Sequence, residues 1–179
     1  IKYTIHEDVL ICSPIAGLDI DHISKLINNK IIRIMPNLLI RNNKGFIPYS
    51  KNYDDDYLDF IQLTLNNLGD TKEFSEKYFP VITALSGSGP AWFFALSNEL
   101  VKAGNKLGLS NQESELLVNK IINGLPDLIA SGDSVRELIK KVKSQQGKTE
   151  AGLNTLENDS CGKKNQDDME KASQSSIKV

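Results

Sequence analysis

The spacing of apolar residues changes along the chain and divides it into two parts. In the first part, two short apolar runs, at residues 9–12 and 30–35, each stop at a proline-containing turn. Runs of this kind are typical of buried strands. Residues 21–28, between them, carry apolar side chains at helical spacing. A strand, a helix and a strand within about 30 residues match the size of a βαβ unit.

The second part is patterned as helix. Residues 46–49 predict a third, weaker strand, and from residue 54 onward apolar positions recur at helical spacing up to Gly69, a predicted helix C-cap. Pro90 suits the first turn of a long helix, and Pro126 predicts a kink. Capping boxes at Ser110 and Ser134 predict two more helices. Helices are also predicted at 149–156 and, weakly amphipathic, in the tail. The fold class predicted is α/β followed by all-α, with domains at 1–71 and 72–179.

Composition excludes several classes of function. The formal net charge is -2, and a nucleic-acid-binding protein usually shows a basic stripe. No apolar run approaches the ~20 residues of a membrane span, and the first residues lack a signal-peptide pattern. The two cysteines, Cys12 and Cys161, are too few for a disulfide framework. We therefore expect no nucleic-acid partner, no membrane partner and a cytoplasmic location.

Two glycine-containing segments resemble nucleotide-binding loops but miss a required residue. Gly87-Ser88-Gly89 would need a third glycine where Trp92 stands. Its glycines are explained equally well by tight packing and by a nearby ligand. Gly147-Lys148-Thr149 would need a glycine where Val142 stands, so nucleoside triphosphate hydrolysis is excluded. The loop at 144–149 is more simply a solvated loop with a capping threonine than an anion cradle. Metal binding is not indicated, because His6 and His22 lack ligand-spaced partners.

Five segments together resemble one enzyme family. VITALSGSGPAW at 81–92 resembles the signature segment of the pyrroline-5-carboxylate reductases. The flanking matches have the same order and spacing, and they are SPIAGL at 13–18, RIMPN at 33–37, KLGL at 106–109 and SQQGKTEAGLNTLE at 144–157. The resemblance covers nearly all of the chain up to about residue 157.

The resemblance implies a fold and an activity. The fold would be the end of a Rossmann domain followed by a 6-phosphogluconate-dehydrogenase-like helical dimerisation domain. The activity would be the reduction of 1-pyrroline-5-carboxylate to L-proline with NADPH or NADH, in a homodimer or a higher oligomer. The family's GxGxxG segment and first strands have no counterpart in these 179 residues. The chain is therefore expected to be a fragment that is inactive alone.

The resemblance also assigns site residues. Ala16, Asn37 and Glu76 would contact the cofactor. Thr149 would be the catalytic residue, since its hydroxyl could hydrogen-bond the substrate's ring nitrogen as hydride addition makes that nitrogen more basic. The substrate-binding loop would comprise Ser144, Gly147, Lys148 and Thr149, and is expected to meet the segment around Gly87 in one cleft.

The substrate loop departs from the family's usual SPGGTT or SPGGAT. Gln145 and Gln146 replace a proline and a glycine, and Lys148 replaces a small residue. Lys148 could add a charge for the substrate carboxylate or could block the pocket. The alternative function is accordingly a non-catalytic homologue that acts as a dimerisation or regulatory module.

Overall fold

The protein is described by a computed structural model that covers residues 5–54, 63–143, 149–150, 152–154 and 161–175. The chain divides into two compact units. The first consists of Ile1–Ala91 together with Asp167–Val179, and the second of Trp92–Gln166.

The first unit is built on a four-stranded sheet whose strands follow chain order. The strands are β1 (Ile11–Ser13), β2 (Ile31–Ile34), β3 (Gly45–Lys51) and β4 (Gly69–Glu73). The β1–β2 and β3–β4 pairs are parallel, and the β2–β3 pair is antiparallel. The three strands predicted from apolar runs are confirmed. The third, for which the apolar pattern is weakest, is the longest of the three.

β2 is the buried centre of this sheet, with all four of its residues buried. Its side chains alternate between two apolar clusters, as the period of a strand requires. Ile31 packs with Ile20 and Ile23, whereas Ile32 and Ile34 pack in a second cluster with Ile47, Tyr49 and Leu65. Coverage on both faces explains why this segment is a continuous apolar run apart from Arg33.

The connection after β1 contains a shorter helix than predicted. The helix α1 spans Ile20–Ser24, and Asp19 caps it by accepting a hydrogen bond from the His22 amide at 2.8 Å. The sequence pattern predicts a helix that continues to residue 28 partly because Leu26 is apolar. In the structure Leu26 is 78% exposed. The buried residues of α1 are Ile20 and Ile23, and Ile27 packs against the same cluster from beyond the end of the helix.

The prediction that Gly69 caps a helix is wrong. Gly69 opens β4 with φ +146°, and a Cβ added there would collide with the backbone of Gly45, its partner in the β3–β4 pair. The strand was missed because its sequence, GDTKE, lacks an apolar alternation. Consequently the chain is not yet all-helical at residue 70.

Residues 63–65 of the helix predicted from residue 54 are helical, and 55–62 lie outside the described residues.

Helices follow β4. A 3₁₀ turn (Glu76–Tyr78), α2 (Phe79–Ile82) and a π-helical turn (Thr83–Gly87) lead into α3 (Gly89–Lys106), so residues 81–85 are helical although they resemble a strand. The remaining helices are α4 (Asn111–Ala130), α5 (Val135–Val142) and α6 (Cys161–Ser175).

Among the described residues, one helical stretch, Glu76–Lys106, is long and apolar enough by length and composition to cross a bilayer.

Both predicted capping boxes are confirmed. The hydroxyl of Ser110 accepts from the Glu113 amide, and Ser134 and Glu137 repeat the arrangement at α5. Hydrogen bonds from the serines lower the pKa of each glutamate carboxyl. α4 runs through Pro126 as one helix, and the kink predicted there stays a prediction.

Gly104 of α3 lies close to Ser114 of α4. A Cβ added to Gly104 would lie 2.5 Å from Ser114 Oγ and 3.1 Å from Ser114 Cβ, whereas one added to Gly124 would meet nothing within 4 Å. We expect Gly104→Val to lower the free energy of unfolding by about 1–3 kcal/mol through overpacking. Chemical denaturation measures this loss.

Gly124→Val is the matched control, because it places the same side chain on a helix with open space around it. It should leave stability nearly unchanged. Equal stability of the two variants would contradict the close approach of α3 and α4.

Candidate functional site

Arg33 is a buried cation at the centre of the first unit. It lies in β2 and is 4% exposed. Its Nη1 donates to Glu76 Oε1 at 2.5 Å, and its Nη2 donates to the backbone carbonyl of Ala16. The guanidinium carbon also lies 4.6 Å from the centre of the Phe79 ring. A buried charge is tolerated when it is paired and hydrogen-bonded, and stacking on an aromatic ring adds to that stabilisation.

Glu76 connects this cation to the start of α1. Its Oε1 accepts a second hydrogen bond, from the Ile20 amide at 3.3 Å. Carboxylates are stabilised at helix N-termini, where backbone N–H groups have no partner within the helix. The loop after β1, the N-terminus of α1 and the first helical turn after β4 are therefore all held by one ion pair.

The Arg33–Glu76 pair is incompletely satisfied. Arg33 Nε and Glu76 Oε2 are buried, and neither has a hydrogen-bond partner among the described residues. The pKa of Asp19 is lowered mainly by the hydrogen bond from the His22 amide, and the charge of Arg33 is a minor further cause.

Asn37 joins the end of β2 to the glycine-containing segment. Its Oδ1 accepts from the Leu39 amide at 3.1 Å and caps a 3₁₀ helix, Leu38–Asn42, that the sequence pattern does not predict. Its Nδ2 donates to Ser86 Oγ at 3.4 Å. Asn37 is thus fixed by its own neighbours and reaches the residue that precedes Gly87.

The glycines of this segment are not explained by packing among the described residues. A Cβ added to Gly87 would make only ordinary contacts, the nearest being Met35 Sδ at 3.8 Å, and one added to Gly89 would meet nothing within 4 Å. The sequence explains these glycines equally well by tight packing and by a nearby ligand. Tight packing within the described part of the chain requires neither glycine, so the structure favours the nearby ligand.

The structure brings the three predicted cofactor residues into the first unit. Ala16 and Glu76 share Arg33 as a partner, and Asn37 follows the strand that contains Arg33. Arg33 and Phe79 were missed as members of this cluster. The available signal was a single charged residue inside an otherwise apolar strand, because such a residue must find a partner in the core.

The predicted substrate residues are described only in part. Thr149 is exposed and lies in a helical stretch, near an ion pair between Lys143 Nζ and Glu150 Oε1 at 3.4 Å. Ser144, Gly147 and Lys148 lie outside the described residues, so the predicted cleft with Gly87 stays a prediction. His6 and His22 are exposed, and the described part of the chain contains no group of three metal-ligating side chains.

The second unit exposes an apolar surface along its two longest helices. None of the residues of α3 is buried, and in α4 only Ser114 and Val118 are. The exposed side chains of α4 that share one helical face are Leu117, Ile121, Leu125 and Leu128. Exposed apolar residues that share one helical face are typical of an interaction surface.

Comparison with known proteins agrees with this architecture. The family described as pyrroline-5-carboxylate reductase dimerisation matches residues 76–179. A Staphylococcus aureus (strain COL) protein named pyrroline-5-carboxylate reductase is 35% identical over 161 residues, which is 87% of this chain and 59% of that protein. A Staphylococcus epidermidis protein of the same name is 34% identical over the same share of each chain.

Solved structures show the same likeness. The crystal structure of Plasmodium falciparum pyrroline carboxylate reductase with NADP bound matches with a TM-score of 0.86 and 30% identity, over 94% of this chain and 70% of that one. A pyrroline-5-carboxylate reductase from Coxiella burnetii matches with a TM-score of 0.85 and 27% identity, over 93% of this chain and 64% of that one.

Fold and site together define a class of protein in which the end of a Rossmann-type sheet precedes a helical dimerisation domain. Within that class, this chain belongs to the pyrroline-5-carboxylate reductase family, as the match over residues 76–179 shows. The chain spans 59% of the length of the curated relatives named above.

Proposed function

We propose that this chain supplies the residues around the nicotinamide ring and the substrate loop of an oxidoreductase. The enzyme would reduce 1-pyrroline-5-carboxylate to L-proline with NADPH or NADH. One observation carries the proposal. Ala16 follows β1 and Asn37 follows β2, two parallel strands, and Glu76 joins them through Arg33. Ligands of open α/β sheets bind outside the carboxyl ends of parallel strands, which is where these residues lie.

The residues present fit the nicotinamide end of such a cofactor. Asn37 is half-buried at the carboxyl end of β2, and its side-chain amide can donate and accept one further hydrogen bond each, which suits a carboxamide. The cofactor, when bound, supplies the hydride, and the protein holds the two reacting rings together. The predicted boundary between residues 71 and 72 falls inside β4 (Gly69–Glu73), so the end of the nucleotide-binding domain would extend to Glu73 and the helical domain would follow it.

No segment of this sequence is predicted to bind the adenosine end of the cofactor. No GxGxxG segment occurs in the 179 residues, and the chain spans 59% of its curated relatives. We therefore expect the chain alone to bind NADPH weakly and to be inactive. Fluorescence titration measures this affinity, and submicromolar binding by the chain alone would show that the adenosine end does not need a further segment.

Thr149 is proposed as the residue that hydrogen-bonds the substrate's ring nitrogen, and Ser144, Gly147 and Lys148 as the residues that hold its carboxylate. In an active chimera that joins this chain to the unmatched part of the Staphylococcus aureus relative, Thr149→Ala should lower kcat by about 10²-fold or more. Steady-state kinetics measure this change.

Thr149→Ser retains the hydroxyl and serves as the control, so it should keep most of the turnover. Because Thr149 is exposed, neither variant should change the thermal unfolding midpoint. Unchanged kinetics of Thr149→Ala would remove Thr149 from the mechanism.

We also propose that the protein works as a homodimer in the cytoplasm and that the apolar faces of α3 and α4 form the dimer interface. The family match over these helices is a dimerisation model. The stretch Glu76–Lys106 is better explained by this interface than by a bilayer, because Phe79 is fully buried and a Lys102–Glu99 ion pair lies near its end.

A non-catalytic dimerisation module is the second candidate. It is favoured by the substitutions Gln145, Gln146 and Lys148 in the substrate loop. The two candidates differ in whether the chimera reduces pyrroline-5-carboxylate, whereas both require the dimer.

A further inference from the structure

We propose that the outer edge of β1 is a docking surface for a parallel strand of a second α/β segment, which completes the sheet without a covalent link to this chain. The choice of that segment rests on the proposed function, because the segment would bring the adenosine end of the cofactor site. The surface itself lies along the edge of the sheet and does not include the cluster at the carboxyl ends of the strands.

The backbone of β1 has hydrogen-bonding groups directed to its outer side. β1 is the first strand in the sheet order, and among the described residues it pairs only with β2. The Ile11 amide donates to the Lys30 carbonyl at 2.9 Å, so the backbone groups of Ile11 point toward β2. Successive residues of a strand point these groups to opposite sides. The N–H and C=O of Cys12 therefore point outward, where a further strand can bond both.

The two edges of the sheet differ in charge. β4 forms the opposite edge, and its residues Asp70, Lys72 and Glu73 are all exposed. Charged side chains on an edge strand oppose pairing with another chain. The segment that leads through β1, residues 9–12, carries no charged side chain, and Val9 is 46% exposed. The edge at β4 is therefore protected against strand addition, whereas the edge at β1 is not.

The apolar layers on both faces of the sheet reach β1 but are not closed there. Ile11 packs against the cluster that contains Ile31, and Leu10 packs against the cluster on the opposite face, yet both side chains are only partly buried. Parallel strands occur where both faces of a sheet are covered, and β1 and β2 are already parallel with α1 between them. A parallel strand that brings helices of its own would bury more of both side chains.

The length of the relatives identifies the occupant. The Staphylococcus aureus relative is matched over 59% of its length, so it has a large further segment outside the match. A βαβ unit takes about 30 residues, and that segment can therefore supply both strands and covering helices. A second copy of this chain is the competing occupant, but it would offer only a strand of three residues at this edge.

The test co-expresses this chain with the unmatched part of the Staphylococcus aureus relative as a separate, tagged polypeptide. We expect the two to purify together as an equimolar complex. Hydrogen exchange of the Cys12 amide should be slower in the complex than in the chain alone. Exchange of the Ile11 amide should change little, because that amide is already bonded to Lys30. This comparison needs no variant of the chain.

Cys12→Pro tests the same contact by removing the outward N–H. Proline is tolerated on an edge strand where the N–H faces solvent, but it removes a hydrogen bond once a partner strand is present. The variant alone should therefore keep its far-UV circular dichroism spectrum. Its affinity for the second segment should fall about tenfold or more, because a buried acceptor of that segment would lose its donor.

Thr71→Pro is the matched control at the opposite edge. The Phe74 amide donates to the Tyr49 carbonyl of β3, so Thr71, three residues earlier in β4, directs its N–H to the outer side. This variant should bind the second segment as the unmodified chain does.

Equal affinities of the two proline variants, or unchanged exchange of the Cys12 amide in the complex, would overturn the inference. The absence of a complex, when the covalent chimera of the same two pieces is folded, would also overturn it. Protection of the Cys12 amide that rises with the concentration of the chain alone would assign the edge to a second copy instead. A complex that protects Cys12 but does not reduce pyrroline-5-carboxylate would contradict the proposed function and leave the docking surface in place, so the two failures are distinguishable.

Discussion

Ile121→Asp should convert the proposed dimer into a monomer. Ile121 lies in α4 among apolar side chains of the same helical face, and 57% of it is exposed within the chain. In a dimer built on that face the carboxylate would be desolvated without a partner, which disfavours association by several kcal/mol. Sedimentation velocity across a concentration series measures the change in mass.

The control is Asn119→Asp, which adds the same charge to the same helix at an exposed polar position two residues away. It should remain dimeric. Far-UV circular dichroism should be unchanged in both variants, because neither side chain is buried within the chain. A dimer that survives Ile121→Asp at the same concentrations would place the interface elsewhere.

Phe79→Ala should cause the largest loss of stability of any substitution considered. Phe79 is fully buried and packs with Met35 and Ile82 below the Arg33 guanidinium. Truncation removes apolar contacts, leaves a cavity and takes away the ring on which a buried cation lies. We expect the free energy of unfolding to fall by about 3–5 kcal/mol, as in other core Phe→Ala substitutions.

Tyr78→Ala is the control for this substitution, since Tyr78 is the neighbouring aromatic residue and is 48% exposed. It should cause a much smaller loss of stability in the same urea titration. Similar losses for the two variants would mean that burial of the Phe79 ring does not hold the cluster together.

Local patterns predicted much of the fold. The apolar runs located β1 and β2, and the capping boxes located the starts of α4 and α5 because both bonding partners lie within four residues of each other. β4 was not predictable in this way. It is fixed by pairing with β3, including the backbone approach of Gly69 to Gly45, and no local apolar pattern reports a pairing across that distance in sequence.

The candidate site was predictable only in part. Resemblance to the reductase family predicts Ala16, Asn37 and Glu76 as cofactor contacts, and this assignment stays a prediction, but the resemblance gives no reason for their placement. For Ala16 and Glu76 that reason is Arg33, whose burial depends on partners from these two distant segments. A charged residue inside an apolar run indicates a buried partner, but the run does not show which residue that partner is, so the role of Arg33 emerges only from the tertiary structure.

The most direct test of the proposed activity is turnover of 1-pyrroline-5-carboxylate by the chimera that contains this chain and the unmatched part of the Staphylococcus aureus relative. We predict NADPH oxidation that depends on the imine and forms an equal amount of L-proline. A folded, dimeric chimera that oxidises no NADPH above background would contradict the catalytic assignment and leave the chain as a dimerisation module of the family.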